Sequence, residues 1–574
     1  MPVQASFVLA DNKTPKATGT PIDHERVFAV QGDDSDRLSS WRSLIRQEFA
    51  RKRSIALYVP TIEDSENLFA ALEKGIEGYI FRLNGSLTPK RTVENWTKIA
   101  ETDHPIVVIA TGSFSVLPRS DIDTVIIERE NSRGWISQKA PYMDARHAIE
   151  TISRNSKQTV YLADSLLRTE TLFRLDKDLI DQGSPFKWRS ISTAHDTLVD
   201  MRKKTPQHAL TPAERAMAER AKEEWDMNAT ASETETEAGP DAKQFAATTA
   251  SQSALAPSFR VISNELEALI RTNREESTHL FILTIRRGVA PMTICDDCET
   301  IVTCRECGAP VVLHTSTENG KNFFMCHKCG ARRSADETCV TCGSWRLTPL
   351  GIGIDRVRDE IKRLFPDIDI FKIDAEATKT EKQITEVLEK FKGKPGSIIL
   401  GTELAMAHIV DKIDHIAVAS LDSLFALPDF RIQEKIMYTL IRLRAQATRS
   451  ILVQTRKPDE KVFEYGLKGN LSDFYRGTLS ERKQFAYPPF SQLIKITIEG
   501  KKDVIANDMA RVCEVLAPHE MDVFPAFTAS SRGNSMIHGL MKIEPHAWPD
   551  PDTVAKLRTL PPNVSVKVNP ESLL

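Results

Sequence analysis

Long apolar runs, a secretory signal and an excess of positive charge are all absent from this sequence. No run approaches the roughly 18 consecutive apolar residues of a membrane span. The first residues lack the basic stretch and apolar core of a secretory signal. The net charge of −3 gives no general attraction to nucleic acids, so any such contact must rest on local patches. We therefore expect a cytoplasmic protein with no membrane association, whose thiols stay reduced.

Large apolar side chains are scarce in residues 204–255, which are rich in Ala, Thr and Glu. Residues 204–250 contain nine acidic and five basic residues, and the remainder of the chain is close to neutral. A segment of this composition cannot bury enough apolar surface to fold by itself. We predict an acidic, flexible insertion at residues 204–255. The full 574 residues exceed what one hydrophobic core supports, so several domains are expected.

Cysteine is confined almost entirely to one short segment. Eight of the nine cysteines form four Cys-x-x-Cys pairs: Cys295/Cys298, Cys304/Cys307, Cys326/Cys329 and Cys339/Cys342. Each pair can offer two thiolates from a tight turn, and two pairs complete a tetrahedral zinc site. We predict two structural Zn²⁺ sites, each closed by four thiolates and without a position for a catalytic water.

The spacing leaves open how the cysteine pairs combine and which metal they bind. Nested pairing, with the outer pairs together and the inner pairs together, and sequential pairing both satisfy tetrahedral coordination. Disulfides would need an oxidising compartment. An iron–sulfur cluster is a further alternative, but paired knuckles separated by short loops are more typical of zinc ribbons. The ninth cysteine, Cys513, lies in an apolar helical stretch and is expected in a core.

Short apolar runs alternate with helical patterns and predict an α/β fold class. Residues 26–203 predict a first domain with a parallel sheet and helices on both faces. The pattern returns at residues 256–294 and 347–485, which predict a second domain. The cysteine-rich segment, residues 295–346, is then an insertion in that domain. Residues 486–574 mix strands and helices and predict a small α+β domain.

The strands expected in the two α/β domains are short and rich in β-branched residues. In the first domain they are Val27–Val30, Ile55–Val59, Tyr79–Phe81, Ile106–Ala110, Val125–Ile127 and Val160–Ala163. In the second domain they are Leu280–Ile285, Ile368–Ile373, Ser397–Leu400, Ile416–Ala419 and Ile451–Gln454.

Several short stretches together resemble one known family. They are RRGVAP (286–291), CGSWRLTPLGIGIDRV (342–357), PDFR (428–431) with Glu434 beyond it, Gln454-Thr455, YPPF (487–490) and the closing NPESLL. In this order, and with an eight-cysteine insertion in a second α/β domain, they resemble primosomal protein N′, a family of bacterial replication-restart helicases of superfamily 2. The resemblance extends from Val27 to Leu574. It implies two RecA-like helicase domains, a two-zinc insertion and ATP-driven unwinding of DNA.

The resemblance also implies a set of zinc ligands. The outer pairs would share one ion, bound by Cys295, Cys298, Cys339 and Cys342. The inner pairs would bind the second ion through Cys304, Cys307, Cys326 and Cys329. The family's N-terminal domain, which captures the 3′ end of a nascent strand, would be reduced to a remnant at residues 1–25.

The ATP-binding motifs of the family are altered in this sequence. A P-loop supplies glycines, a lysine for the β/γ-phosphates and a Ser/Thr hydroxyl for magnesium. The matching residues 31–38 read QGDDSDRL, with Arg37 at the lysine position and Leu38 at the hydroxyl position, and no G-x-x-x-x-G-K-[ST] occurs in the chain. Glu128 and Arg129 stand in place of the Asp-Glu pair. We predict a degenerate nucleotide site at these four residues, no catalytic residue and no bound ATP.

The remaining helicase motifs are altered as well. Gly401-Thr402-Glu403 stands where the family has Gly-Thr-Gln, and the arginine-finger segment, residues 442–449, keeps a finger-like charge only at Arg449. The simplest structural explanations are a strand-end turn for Gly401-Thr402 and a surface charge for Arg449. For Arg146, in a segment similar to one of the family, the explanation is a helix-surface or interface position.

Candidate DNA contacts rest on local positive charge. Arg286 and Arg287 precede a glycine, and either contact phosphate or cap domain packing. Arg332 and Arg333 lie in the cysteine-rich segment, where they are either DNA contacts or solvated surface charges. Three aromatic residues of that segment are expected to form its small core rather than stack on bases: Phe323, Phe324 and Trp345.

Three functional hypotheses follow from the sequence. The first is a replication-restart scaffold that binds branched or single-stranded DNA, or other primosome proteins, without hydrolysing ATP. The second is an active ATP-dependent 3′–5′ DNA helicase that uses unusual residues. The third is a structural zinc protein that no longer binds DNA. We rank them first, third, second, so that enzymatic activity is the less expected outcome, and we expect a monomer.

Overall fold

The computed structural model describes most of the chain in twelve stretches. They are residues 26–137, 142–202, 260–285, 292–306, 308–315, 322–326, 331–350, 353–378, 380–409, 411–427, 429–526 and 535–573. In these stretches we find no helix with the length and apolar character needed to cross a membrane. The described residues form two large parallel sheets and three smaller antiparallel ones.

The first large sheet has seven parallel strands in the order β3-β4-β2-β5-β6-β1-β7. The strands are Val27–Gln31 (β1), Ser54–Val59 (β2), Ile80–Leu83 (β3), Val107–Thr111 (β4), Ile122–Glu128 (β5), Thr159–Asp164 (β6) and Asp181–Phe186 (β7). Every residue of β2 and β4 is buried, because helices cover both faces and leave no side for polar residues. All six strands expected in this domain are present.

Five helices pack on the first sheet. They are Asp34–Ala50 (α1), Ile62–Leu72 (α2), Pro89–Glu101 (α3), Ala145–Asn155 (α4) and Thr169–Asp176 (α5). Their starts follow local capping rules: the side chain of Thr61 accepts the N–H of Asp64 at the start of α2. Thr88 does the same for Arg91 in α3, which begins with a proline. Helix α1 differs, because the side chain of its N-cap residue Asp33 makes no such bond.

The second large sheet has six parallel strands in the order β15-β16-β9-β17-β18-β8. The strands are His195–Asp200 (β8), Leu280–Leu283 (β9), Ile370–Ile373 (β15), Ile398–Gly401 (β16), Ile413–Val418 (β17) and Ala447–Thr455 (β18). Its helices are Asn264–Glu275 (α6), Ile354–Leu364 (α7), Glu381–Lys392 (α8), Glu403–His408 (α9), Ile432–Gln446 (α10), Lys461–Lys468 (α11) and Leu471–Gln484 (α12). Two parallel α/β sheets therefore carry the fold, as the sequence predicts.

Strand β8 corrects the boundary expected at residue 203. It pairs in parallel with β18 from His195 to Asp200, so the chain enters the second sheet before that boundary. The sequence of β8, HDTLVD, gave no signal because it is an edge strand with several exposed positions and few apolar residues.

The cysteine-rich segment lies between β9 and α7 and therefore interrupts the second sheet. Met292–Cys295 (β10) pairs antiparallel with Leu347–Leu350 (β14), which closes the segment at its base. Val312–Thr315 (β11), Asn322–Met325 (β12) and Arg332–Ser334 (β13) form a three-stranded antiparallel sheet. We call residues 292–350 the zinc module, after the Zn²⁺ sites that the sequence predicts there.

The C-terminal part is an α+β sandwich with a recognisable order of elements. It runs Gln492–Gly500 (β19), Lys502–Leu516 (α13), Met521–Pro525 (β20), Ser535–Ile543 (β21), Pro551–Arg558 (α14) and Val564–Val568 (β22). The strand order β20-β21-β19-β22 and the β-α-β-β-α-β sequence are those of the ferredoxin-like arrangement. Cys513 packs against the core between this sheet and its helices, as expected.

Candidate functional site: a cysteine cluster and an altered nucleotide loop

Two tight turns bring four cysteines of the zinc module together. The N–H of Glu299 donates to the carbonyl oxygen of Cys295 at 2.8 Å, and the N–H of Gly343 donates to that of Cys339 at 2.8 Å. Glu299 and Gly343 both have positive φ, at 59° and 76°. This left-handed residue reverses the chain directly after each Cys-x-x-Cys pair. Each turn therefore points two thiols to one side.

The four thiols form a compact and mostly buried group. Sγ of Cys295 lies 3.5 Å from that of Cys342, and Sγ of Cys298 lies 3.6 Å from that of Cys339. All four sulfur atoms lie within 4.8 Å of one another. Tetrahedral zinc with Zn–S bonds of about 2.3 Å requires sulfur–sulfur distances of about 3.8 Å. The cluster fits such an ion and joins the two outer pairs, whereas sequential pairing would have separated them.

The inner pairs are described only in part. Cys304 and Cys326 are buried in one small apolar cluster with Phe324, which is a core residue as expected. The N–H of Cys304 donates to the carbonyl oxygen of Ala309, and Gly308 has positive φ, so this turn repeats the geometry of the outer knuckles. The other two ligands expected for the second ion, Cys307 and Cys329, lie outside the described residues. The second Cys₄ site stays a prediction.

An ion pair fixes the cysteine cluster to the second sheet. Glu299, the residue after Cys298, contacts Arg456 at 3.4 Å, and the side chains of both are nearly inaccessible to solvent. Arg456 directly follows β18, and its backbone N–H donates to the buried carboxylate of Asp422. The metal-binding turn is thus joined to the sheet by one buried carboxylate–guanidinium contact.

The second candidate site lies where the carboxyl ends of β1, β5 and β6 meet. Arg37, in the first turns of α1, is 1% exposed and donates from Nε to Oε1 of Glu128 at 2.8 Å. Its Nη1 donates to the carbonyl oxygen of Gly32, and its Nη2 donates to Asp34 at 2.8 Å. Trp41 Nε1 donates to the other oxygen of Glu128 at 3.0 Å. The cation and the carboxylate of the altered motifs therefore neutralise each other.

Arg129 extends this network across the loop. It adopts a positive φ of 55° and contacts Asp34 at 2.9 Å and Asp64 at 2.8 Å. Burial alone would raise the pKa of Asp34, but Arg129 and Arg37 together hold it below its ordinary value. Burial would likewise lower the pKa of Arg37, yet Glu128 and Asp34 hold it above its ordinary value. Asp34 and Arg37 are therefore both charged at neutral pH.

The polar groups of the loop are engaged by contacts within the protein. Arg37 donates to the carbonyl oxygen of Gly32 in the loop that would face phosphates, and Asp33 and Asp34 add negative charge there. At the magnesium position Leu38 packs against the apolar core of the first sheet. A cleft of about 390 Å³ remains between the two sheets, lined by Asp34, Arg37 and Arg442 among others.

Comparisons with known proteins find partial similarity to replication restart proteins. No protein-family model matches the chain. The replication restart protein PriA of Haemophilus influenzae is 26% identical over 260 residues, which are 44% of this chain and 35% of that protein. PriA of Borreliella burgdorferi is 29% identical over 252 residues, 43% of this chain and 37% of that protein. PriA of Thermotoga maritima is 27% identical over 316 residues, which are 53% of this chain and 42% of that protein.

Over about half of its length the chain is similar to replication restart protein PriA. The match spans less than half the length of each of these curated relatives. Among solved structures, the helicase domain of Pyrococcus furiosus Hef has a TM-score of 0.38 and 11% identity, over 77% of this chain and 95% of that one. Mss116p bound to single-stranded RNA and AMP-PNP has a TM-score of 0.36 and 11% identity, over 82% of this chain and 80% of that one.

The arginines of the altered motifs take different places in the fold. The explanation of Arg449 as a surface charge is right, because it is half exposed and pairs with Glu276 at 2.5 Å. Arg442 of the same segment lines the cleft between the sheets, and its guanidinium lies over the ring of Tyr438. Of the two positions left open for Arg146, the interface position is right, because this residue is 5% exposed and contacts Glu571 of the C-terminal part at 3.0 Å. Gly401 ends β16 and Thr402 caps α9, which is the strand-end turn expected.

The candidate DNA contacts are only partly described. Arg286 and Arg287 lie outside the described residues. Arg332 and Arg333 are neighbours on β13: the guanidinium of Arg332 lies over Phe323, and Arg333 pairs with Glu337 at 2.6 Å. Their role in DNA binding stays a prediction.

One charged cluster escaped the sequence reasoning altogether. Seven side chains meet where the two large sheets and the C-terminal part join, and we call them the junction cluster: Arg146, Arg168, Glu170, Arg431, Glu434, Arg482 and Glu571. Three of them, Arg431, Glu434 and Glu571, belong to stretches that carry the family resemblance. Their presence in these stretches was a signal that could have predicted the cluster, because motifs that are distant in sequence but serve one site lie together in the fold.

Proposed function

We propose that this chain is a PriA-related scaffold of replication restart that binds single-stranded or branched DNA and does not hydrolyse ATP. The observation that carries the proposal is the direct contact of Arg37 with Glu128. A helicase of this class keeps a lysine free for phosphates and a carboxylate free for magnesium. Here the corresponding residues bind each other in a buried site, so neither is free for a nucleotide.

The contacts between the sheets support a scaffold rather than a motor. A helicase cycle requires the two domains to open and close around ATP. Glu434 of α10 accepts the N–H of Thr169 at 3.0 Å and pairs with Arg482 at 2.5 Å. Tyr475 of α12 donates to the carbonyl oxygen of Leu167 at 2.5 Å. The bonds from Thr169 and from Tyr475 are buried, connect elements of both sheets and oppose their separation.

We further propose that the zinc module holds two Zn²⁺ ions with a purely structural role. Four thiolates complete the coordination of each ion and leave no position for water or substrate. The described cluster supports one such site by its distances, and the repeated knuckle geometry around Cys304 supports the other. In this proposal the ions keep the module in shape for contacts with DNA or restart proteins.

The test is fork-DNA binding measured with and without ATP, together with DNA-stimulated ATPase activity. We expect binding that ATP does not change, and no turnover above background. Arg37→Ala and Glu128→Ala serve as controls, because turnover from a contaminating enzyme survives both substitutions. Turnover that both substitutions abolish would identify an active helicase. Absence of binding to forks and to restart proteins would leave a structural zinc protein.

A further inference from the structure

The C-terminal residues 569–573 hold one carboxylate inside the junction cluster. The N–H of Asn569 donates to the carbonyl oxygen of Leu493 at 2.8 Å, and Lys495 Nζ donates to that of Leu573 at 2.9 Å. Leu573 is buried beside Leu493. Both ends of the segment are therefore attached to strand β19 of the C-terminal sheet, and Glu571 between them points away from that sheet toward the other two.

Glu571 contacts three arginines from two different sheets. Its carboxylate lies 2.7 Å from Arg168, 3.0 Å from Arg146 and 3.6 Å from Arg431. Arg146 and Arg168 belong to the first sheet, at the starts of α4 and α5, and Arg431 precedes α10 of the second sheet. The carboxylate of Glu571 therefore lies among three arginines that the two large sheets supply.

The same three arginines line a groove with more cations. The groove has a volume of about 840 Å³ and runs between the first sheet and the C-terminal sheet. Its rim carries further cationic and aromatic residues, Arg133, Arg174, Lys567, Tyr142 and Trp548, and its lining also contains the carboxylates of Glu130, Asp144, Glu150 and Glu170. The ammonium group of Lys567 lies 4.2 Å from the ring of Tyr142. Guanidinium groups beside aromatic rings suit a nucleic-acid strand, whose phosphates take the cations and whose bases stack.

We propose that Arg146, Arg168 and Arg431 form a phosphate-binding site for a single nucleic-acid strand, which Glu571 occupies in cis. The carboxylate of Glu571 stands in for one phosphate group. A strand entering the groove displaces Glu571, and one of its phosphates then contacts the three arginines. The inference rests on the proposed DNA binding and adds its location and its regulation.

The test compares Glu571→Gln with Glu544→Gln in the full-length, zinc-loaded protein. Both variants remove one negative charge from the C-terminal part, but Glu544 is three-quarters exposed and pairs with His546. Binding of a fluorescein-labelled ten-residue oligothymidylate is measured by anisotropy over a series of salt concentrations. We expect Glu571→Gln alone to bind about tenfold more tightly, with a steeper salt dependence, because the three arginines lose one of their carboxylate partners. Glu571→Asp, which keeps the charge, should bind like the unmodified protein.

A second substitution and a second measurement keep the inference open to refutation. Adding Arg168→Ala to Glu571→Gln should abolish the gain. If Glu571→Gln does not fold, hydrogen exchange of the unmodified protein is followed at residues 564–573, where added oligothymidylate should speed exchange. An unchanged affinity in a folded Glu571→Gln, or unchanged exchange in the presence of bound oligomer, overturns the site. If the unmodified protein and Glu571→Gln both fail to bind any DNA, the proposed function fails as well.

Discussion

The cysteine cluster and the nucleotide loop, residues 31–38, differ in how their polar groups are satisfied. In the zinc module all eight cysteines are present, and four of them are grouped at metal-binding distances. In the nucleotide loop the residues that bind ATP in the family are replaced, and the replacements satisfy one another through Arg37, Glu128 and Asp34. The cysteine cluster has the geometry for an ion from outside the chain, whereas the charged groups at the nucleotide loop bind one another.

The difference shows what each site contributes to the fold. A small module with little apolar core depends on its metal for stability, so loss of a cysteine is not easily compensated. The nucleotide loop sits on a large sheet that folds without ligand, so its charged groups can change as long as each keeps a partner. Buried charges remain in both places, but only the loop neutralises them with its own side chains.

The largest effect should come from removing the metal. Chelation, or Cys295→Ser with Cys339→Ser, should unfold the zinc module, because structural zinc contributes about 10–16 kcal/mol to the folding of such units. Limited proteolysis and hydrogen exchange at residues 292–350 should show the loss, while exchange in the first sheet stays unchanged. Cys513→Ser is the matched control, since this thiol packs in the C-terminal core away from the cluster. Equal protection of the module from exchange with and without metal would contradict the prediction that the module depends on its metal for stability.

The next effect should come from breaking the pair in the nucleotide loop. Arg37→Ala leaves the buried Glu128 without its main partner, and removing one member of a buried ion pair costs about 3–5 kcal/mol. Urea unfolding should report this loss. Replacing both residues by apolar ones, Arg37→Met with Glu128→Leu, should restore most of the stability.

The control for this experiment lies on the same helix. Arg42 of α1 is exposed and donates only to the carbonyl oxygen of Ala71, so Arg42→Ala should change stability by less than about 0.5 kcal/mol. If Arg37→Ala is equally mild, the loop is not a closed structural unit. A free Glu128 would then be available to a metal ion again.

The sequence predicted the sheets well because apolar periodicity determines them. Every strand expected in the first domain is present, since runs such as SIALYV have no alternative to a buried parallel strand. Knuckle spacing likewise predicted the cysteine turns, because the metal geometry is local. Strand β8 was missed because HDTLVD lacks that periodicity, and pairing with β18, 255 residues later in the chain, defines it.

The charged sites were harder to predict because their partners are distant in sequence. The sequence showed that Arg37 and Arg129 stand in place of the usual motif residues. Their contacts with Glu128 and Asp64 depend on how β1, β5 and α2 come together. The junction cluster joins Arg146 to Glu571, 425 residues apart, which no local pattern reveals. Sequence reasoning therefore identified which residues had changed and not what the changed residues bind.

A smaller effect should distinguish the two sites on acidification. Zinc leaves as its thiolate ligands are protonated, which begins in mildly acidic solution. The pKa of Asp34 lies below its ordinary value, so its stabilising contacts are complete above about pH 4 and are lost only as the pH falls below that. Between pH 7 and pH 4 we expect zinc release, followed with a chromogenic chelator, while hydrogen exchange of α1 stays slow. If zinc release and faster exchange of α1 occurred at the same pH, the nucleotide loop would depend on the zinc module for its stability.

The smallest effect should come from Arg449, the one finger-like charge that the motif retains. It is exposed and paired with Glu276 and Asp414 on the surface of the second sheet, and such pairs contribute about 0–1 kcal/mol. Arg449→Ala should therefore leave both the urea midpoint and fork-DNA binding nearly unchanged. Arg442→Ala is the informative partner, because Arg442 lines the cleft beside Asp34 and contributes to holding its charge. A larger loss of stability or binding for Arg449→Ala than for Arg442→Ala would show that the arginine-finger position still acts, and that the nucleotide site is less closed than its contacts with Arg37 indicate.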